Sequence, residues 1–238
     1  MSVVRNKKTF AIGLAMIASF ILCYAGMMSP NFGNGRNGLE YADDMFNSLS
    51  KGSAYFIKDA QKVADGQKGT NINLTIKAST PADAVKWGKL YSTAGAIVTV
   101  KESSVTIDGD FGKILGAVVA DSDFMYHNDS KSVETKYGYD GREATNNWNN
   151  SLKKIDAALK AKAQFPQEFD LVKVQQKALE PGYNYYGVEI KKVSENKASL
   201  TFLLSFYLLY TVWYGFGLFY LFDGMGITVH KPKKKIEA

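Results

Sequence analysis

The chain has 238 residues, with 29 Lys and Arg against 23 Asp and Glu, and is 46% hydrophobic at a mean hydropathy of -0.17. One cysteine and two histidines, His127 and His230, exclude a disulfide framework, a Cys-rich metal cluster, c-type haem attachment and a Cys-His nucleophilic site within this chain. Neither histidine falls in an apolar stretch, which excludes a bis-histidine haem in a bilayer.

The charge is uneven. Arg5, Lys7 and Lys8 precede a first apolar stretch, and Lys231, Lys233, Lys234 and Lys235 follow a second. Without those seven bases and the acids Asp223 and Glu237, 22 bases face 21 acids. The middle is therefore nearly neutral and gives no reason to expect nucleic acid as a partner. Basic residues flanking membrane spans stay in the cytoplasm, and the two ends agree on that side.

Residues 1–9 read as a basic cytoplasmic N-terminus and residues 10–28 as a first transmembrane helix. The run from Phe10 to Met28 exceeds the 7–15 residues typical of a signal-peptide core, and Phe20, Ile21 and Leu22 before Cys23 do not suit a lipoprotein cysteine. Ala11, Ala15 and Ser19 fall at small-xxx-small spacing and predict a close-approach face for a second membrane helix. Residues 29–197 then form an extracytoplasmic α+β domain. Pro30 and glycines 33, 35 and 38 predict an exit loop without a Walker or dinucleotide fingerprint. From Leu39 to Ala64 the pattern predicts a bent helix or helical pair around Gly52.

Ile72, Leu74 and Ile76 alternate with polar residues, which predicts a half-buried strand over 71–78. Thr80, Pro81 and Asp83 predict a helix start, with the helix running to about Tyr91. Residues 96–100 and 105–108 read as a hairpin, and Asp110 as the cap of a helix whose apolar face carries Phe111, Ile114, Leu115, Val118, Met125 and Tyr126. Residues 130–140 read as a loop. Trp148, Leu152, Ile155 and Leu159 predict a helix over roughly 142–163, followed by a helix from Pro166 that Pro181 and Gly182 stop. Tyr185 to Val193 reads as a last extended segment. If it pairs with the earlier strands, the domain is a β-α-β-β-α-β split sandwich with a helical hairpin inserted before its last strand.

Residues 198–222 contain no formal charge and span about 37 Å as a helix, enough to cross a ~30 Å hydrocarbon core, so they read as a second transmembrane helix. A Lys-rich cytoplasmic tail, residues 223–238, follows. Ten residues of this second span are aromatic. Tyr207, Tyr210 and Tyr214, with Thr211 beside them, put hydroxyls near its midpoint, where a phenol needs a hydrogen-bond partner. That stripe predicts a helix-packing or oligomer surface, bulky residues against lipid tails with hydroxyls bonded to their own preceding carbonyls, or else a lipid or quinone slot.

Asp121, Asp123, His127 and Asp129 form the densest polar cluster. Asp123 and His127 share a helix face at metal-ligand spacing, but the group reads as a solvated helix end without metal, and Met125 and Tyr126 break an EF-hand. Asp108 and Asp110 read as a strand end and a helix cap. Tyr183, Tyr185 and Tyr186, with Tyr137, Tyr139 and Trp148, read as packing or as a sugar or peptide groove. The sequons at Asn73, Asn128 and Asn149 read as chance matches in a bacterial inner-membrane protein whose central domain is periplasmic.

By elimination the sequence points to a non-enzymatic, membrane-anchored structural or assembly subunit. It would carry no cofactor and would have the lipid bilayer and a homo-oligomer or larger complex as partners. The alternatives are a periplasmic ligand-binding or sensory module, or an accessory subunit of a redox or transport complex.

Overall fold

In the computed structural model, which describes residues 3–53 and 55–227, the chain forms two units. One comprises the residues up to Phe46 with those from Lys191 onward, the other Asn47–Ile190. The elements in order are α1 (Lys7–Met27), α2 (Gly38–Ser53), α3 (Ile57–Gly66), β1 (Asn71–Lys77), α4 (Pro81–Thr93), β2 (Ile97–Lys101), β3 (Ser104–Asp110), α5 (Phe111–Tyr126), α6 (Ser130–Tyr137), α7 (Gly141–Ala161), α8 (Phe165–Val174), α9 (Glu180–Asn184) and α10 (Lys197–Gly224).

Both α1 and α10 are long and apolar enough to cross a membrane. Neither is a core helix, since only 6% of the apolar window of each is buried. They pack against each other. The start of α1 is fixed by Asn6, whose side chain accepts from the Lys8 and Thr9 amides, while the Arg5 and Asn6 amides donate to Gly224 O of α10 at 2.9 Å. After a loop with positive φ at Gly33, Asn34 and Gly35, α2 opens on a reciprocal cap. There Asn37 Oδ1 accepts from the Leu39 and Glu40 amides and Glu40 Oε2 accepts from the Asn37 amide.

The second unit is a mixed α+β domain built on one antiparallel sheet of order β1-β3-β2. Strands β1 and β2 both run antiparallel to β3, so they are parallel to each other with β3 between them, and α4 is the crossover of a split β-α-β unit. One face of the sheet is buried through Ile72, Leu74 and Ile76 of β1 and Val105 and Ile107 of β3. The other presents Asn71, Asn73, Thr75 and Lys77 beside Ser104, Thr106 and Asp108. The core continues through Phe111, Leu115 and Val118 of α5 and Trp148, Leu152, Ile155 and Leu159 of α7.

The predicted strand, helix, hairpin, helix sequence is present, as are the caps at Thr80 and Asp110, which accept from the Asp83 and Lys113 amides. Three expectations change. Tyr185 to Val193 is not a fourth strand. Its Tyr185 and Val188 carbonyls accept from the side chains of Lys51 and Asn128, so part of its backbone hydrogen bonding is met without a ladder and the split sandwich lacks its last strand. Residues 130–137 are a helix, capped by Asp129 and ended by Gly138 at φ 74°. Pro181 and Gly182 do not end the preceding helix. A π-helical turn over Gln175–Leu179 leads into α9, with the Glu180 amide reaching back five residues to Gln175 O. That shift re-registers the ladder just ahead of a proline that has no N–H to give. Gly182 lets α9 approach α5, since a Cβ there would stand 2.6 Å from Ser122 O.

Candidate functional site

The membrane-length pair meets on glycines. A Cβ at Gly13 would stand 2.5 Å from Leu221 N, one at Gly217 would stand 2.7 Å from Ile17 Cδ1, and one at Gly224 would stand 2.5 Å from Phe10 N. Residues at the contact on α1 are Phe10, Gly13, Ile17 and Phe20. Of the predicted close-approach face, Ala11 and Ala15 are exposed, and Ser19 donates to Met16 O of its own helix. The closest backbone contacts fall instead at Gly13, Gly217 and Gly224, where even a Cβ would not fit. The stripe on α10 divides. Tyr210 stacks on Phe20 at 4.3 Å and Tyr214 lies 5.0 Å from the same ring, while Tyr207 is 69% exposed. Thr211 Oγ1 donates to Tyr207 O at 2.8 Å within α10. Among the described residues, none offers a hydrogen bond to the hydroxyls of Tyr207, Tyr210 or Tyr214. Beside them lies a cavity of about 560 Å³ lined by Phe20, Leu39, Phe46, Tyr207, Tyr210 and Tyr214. Arg5, Lys7 and Lys8 are exposed before and at the start of α1. Lys231, Lys233, Lys234, Lys235 and His230 lie outside the described residues.

The acidic cluster is dispersed by the fold. Asp121 is fully buried: its Oδ1 accepts from Lys136 Nζ at 2.7 Å and its Oδ2 from Tyr137 OH at 2.5 Å and Trp148 Nε1 at 2.8 Å. Burial, and then the neighbouring Asp121 carboxylate, push the Tyr137 phenol far above its ordinary value. Asp123 and His127 lie on the outer side. Asp123 Oδ1 accepts from Tyr55 OH at 2.8 Å and lies 3.2 Å from His127 Nδ1. Asp129 caps α6. Among the described residues no group of three His, Cys, Asp or Glu side chains is placed to hold a metal.

Asp108 accepts from the side-chain Nδ2 groups of Asn71 and Asn73, and Asp110 caps α5 while accepting from the Gly69 backbone amide. The aromatic group does not form one groove. Tyr137 and Trp148 are buried at Asp121, Tyr185 lies against Tyr126, and Tyr183 and Tyr186 flank the Arg142 guanidinium at 5.6 and 5.7 Å. Near Tyr183 a surface cavity of about 210 Å³ is lined by Thr145, Asn146, Asn149, Lys153 and Glu180.

Sequence reasoning missed Lys51. It is 1% exposed, and its Nζ donates to Asn128 Oδ1, Tyr185 O and Val188 O at 3.0, 3.0 and 2.7 Å. Asn128 completes the clasp by accepting from the Gly187 amide and donating to Val188 O. Its acceptors are all neutral, and burial holds the ammonium below its ordinary value. Between the folded and unfolded pKa only the unfolded chain keeps the proton, so the clasp is stabilised as pH rises toward 10.5 and is level above it. Urea midpoints of the parent and Lys51→Met, taken from about pH 8 to about pH 11, should show the parent gaining on the variant. A difference that falls with pH contradicts this.

No protein-family model matches the chain, and neither the curated proteins nor the solved structures contain a significant match. What the geometry defines is a class: a mixed α+β domain combined with a packed pair of helices able to cross a membrane.

Proposed function

We propose that this chain is a non-enzymatic, membrane-anchored assembly subunit of a bacterial inner membrane. Both termini are cytoplasmic and the α+β domain is periplasmic, and the subunit associates with copies of itself or within a larger complex. The basic flanks support the orientation. The observation that carries the assembly reading is the set of three tyrosine hydroxyls at mid-helix depth with no partner among the described residues. In hydrocarbon an unpaired hydroxyl is costly, and interhelical hydrogen bonds satisfy it.

Changing Tyr207, Tyr210 and Tyr214 together to Phe keeps the rings, including the stack on Phe20, and removes three hydroxyls. At roughly 0.6 kcal/mol each, about 2 kcal/mol per subunit is lost, more than tenfold in an association constant. The triple variant should insert normally and dissociate at lower detergent concentration than the parent, while Phe202, Phe219 and Phe222 changed to Leu should not. Parent-like dissociation of both would remove the stripe as an assembly surface.

The cavity beside the stripe favours a second reading, in which the hydroxyls face a lipid chain or a quinone. A stoichiometric lipid or quinone that copurifies with the parent and is lost in the triple variant would select it.

A further inference from the structure

We infer that β2 is a docking edge for the β2 strand of a second copy, joining two three-stranded sheets into one six-stranded antiparallel sheet. This rests on the assembly reading above and commits it to self-association through the soluble domain.

The two edges of the sheet are treated differently. Each outer strand packs against a helix, β1 against α7 and β2 against α4, but on β1 an outward carbonyl is also taken, by Lys162 Nζ donating to Asn73 O at 2.7 Å. On β2 the sequence Ile97-Val98-Thr99-Val100 has no proline and no charge before Lys101, and Ile97 is 77% exposed. Apart from its five-residue length and Lys101 at its end, this edge carries no inward charge, proline or bulge of the kind that keeps strands apart. Its outward groups follow from the hairpin. Lys101 and Ser104 close a two-residue turn at Glu102 and Ser103, so Ile97, Thr99 and Lys101 turn their peptide groups to β3, and Val98 and Val100 turn theirs outward. The same parity holds at Ala96, whose amide leaves the ladder for Tyr91 O.

Why a second copy fits is set by the open face of the sheet. If the two β2 strands run antiparallel about Thr99, Val98 and Val100 of one hydrogen-bond Val100 and Val98 of the other, and the two Thr99 residues face each other. A threonine row then crosses the joined sheet, from Thr75 and Thr106, whose hydroxyls already pair at 3.0 Å, through both Thr99 residues to the same pair in the other copy. On either side of that row, Asn73, Asp108 and Ile97 of one copy line up with Lys101, Ser104 and Lys77 of the other. Asp108, Lys77 and Lys101 make no ion pair among the described residues. The two-fold therefore places Lys101 of the other copy beside Ile97, one strand from Asp108, where its stem covers the exposed Ile97 and its ammonium can lean toward the Asp108 carboxylate. Five-residue strands bury less than the ~1,200 Å² of a stable soluble interface, so confinement by the membrane helices supplies the effective concentration.

The full-length chain with Cys23→Ala and Thr99→Cys, oxidised mildly in native membranes, tests this. Facing residues of a non-hydrogen-bonded antiparallel pair sit about 4.5 Å apart at Cα, inside the disulfide range. A disulfide dimer is expected, and none is expected from Thr75→Cys on the same face two strands away. Adding Val98→Pro, which removes an outward N–H and spares the β2–β3 ladder, should abolish it. Lys101→Glu or Asp108→Lys alone should each lower the dimer yield about fivefold, and the two together should restore it. Absence of the Thr99→Cys dimer in protein that melts like the parent overturns the proposal, as does an equal yield from Thr75→Cys. If the tyrosine triple variant disperses the complex and folded Thr99→Cys does not cross-link, the edge pairing falls and the assembly reading stands. If Thr99→Cys cross-links while the tyrosine variant behaves like the parent, the edge pairing stands and the stripe falls.

Discussion

Asp121→Ala is expected to destabilise the α+β domain by about 3–5 kcal/mol, the range for removing one member of a buried charged set. The carboxylate accepts three donors, and two of them, Tyr137 OH and Trp148 Nε1, belong to fully buried side chains with no water to turn to. Each stranded donor costs about 1–3 kcal/mol. Lys136 contributes less, since its side chain is 29% exposed and can swing into solvent. Against a domain stability of about 5–15 kcal/mol the loss is large enough to show as lowered yield and a melting point several degrees down.

Asp121→Asn separates charge from hydrogen bonding. Its one oxygen can keep both the Tyr137 and Trp148 bonds, with the amide NH2 turned toward the side from which Lys136 can withdraw. The asparagine variant should therefore fall between the parent and the alanine variant in a urea titration. If alanine and asparagine lose the same amount, the carboxylate acts through its charge toward Lys136 and the hydrogen bonds are secondary. A loss under 1 kcal/mol for alanine would contradict the whole account.

That Asp121 sits at the centre of the domain was not legible from its neighbours in sequence. Spacing alone groups it with Asp123, His127 and Asp129, because periodicity reports which residues share a stripe and not what the stripe packs against. The buried side of α5 meets Tyr137 from α6 and Trp148 from α7, and α6 itself was invisible to hydrophobic patterning. Its only buried side chains are Val133 and Tyr137, and its cap, Asp129 with Ser132, looks the same as a polar loop. The elements whose register is local were readable: the alternation in β1, the Thr80-Pro81 start of α4, the Asp110 cap and the apolar stripe of α7. Long-range partners were not. Lys51 reads as a solvated lysine near a helix end, and nothing within ten residues of it announces that Asn128 and Val188 will close over it. The predicted last strand failed for the same reason, since its Tyr185 and Val188 carbonyls are taken by side chains distant in sequence. Spacing within one helix groups Tyr207, Tyr210 and Tyr214, but it does not tell that Tyr210 and Tyr214 meet Phe20 while Tyr207 stays exposed.

Gly13→Val is expected to open the α1–α10 pair and to cost roughly 3 kcal/mol or more, at or above the upper end of ordinary overpacking. The atoms nearest a Cβ at Gly13 are Leu221 N, the Tyr220 carbonyl carbon and Gly217 O, at 2.5, 2.8 and 3.0 Å. All three are backbone, so no rotamer change relieves the clash and the helices must separate. Moving Leu221 N from 2.5 Å to an ordinary contact of at least 3.4 Å requires nearly 1 Å for the first carbon alone. A gap of that size forfeits about a quarter to a half of each dispersion contact, and in lipid those contacts are the main attraction between helices. Loss should spread to Phe10 against Gly224, Ile17 against Gly217 and Phe20 against Tyr210, which lie along the same seam. Gly26 is the control, on the same helix with nothing within 4 Å of its Cβ position, and Gly215 plays that part for Gly217 on α10. Unfolding of the purified protein in mixed detergent should give Gly13→Val and Gly217→Val as strongly destabilised, with Gly26→Val and Gly215→Val close to the parent. The consequence reaches the tyrosines, because Tyr210 and Tyr214 are positioned by Phe20, and a parted pair no longer holds these two rings in place. On the proposed assembly reading, Gly13→Val should also lower association, with a larger effect than removing the three hydroxyls. Equal behaviour of Gly13→Val and Gly26→Val would show that the two helices do not depend on glycine contact for their packing.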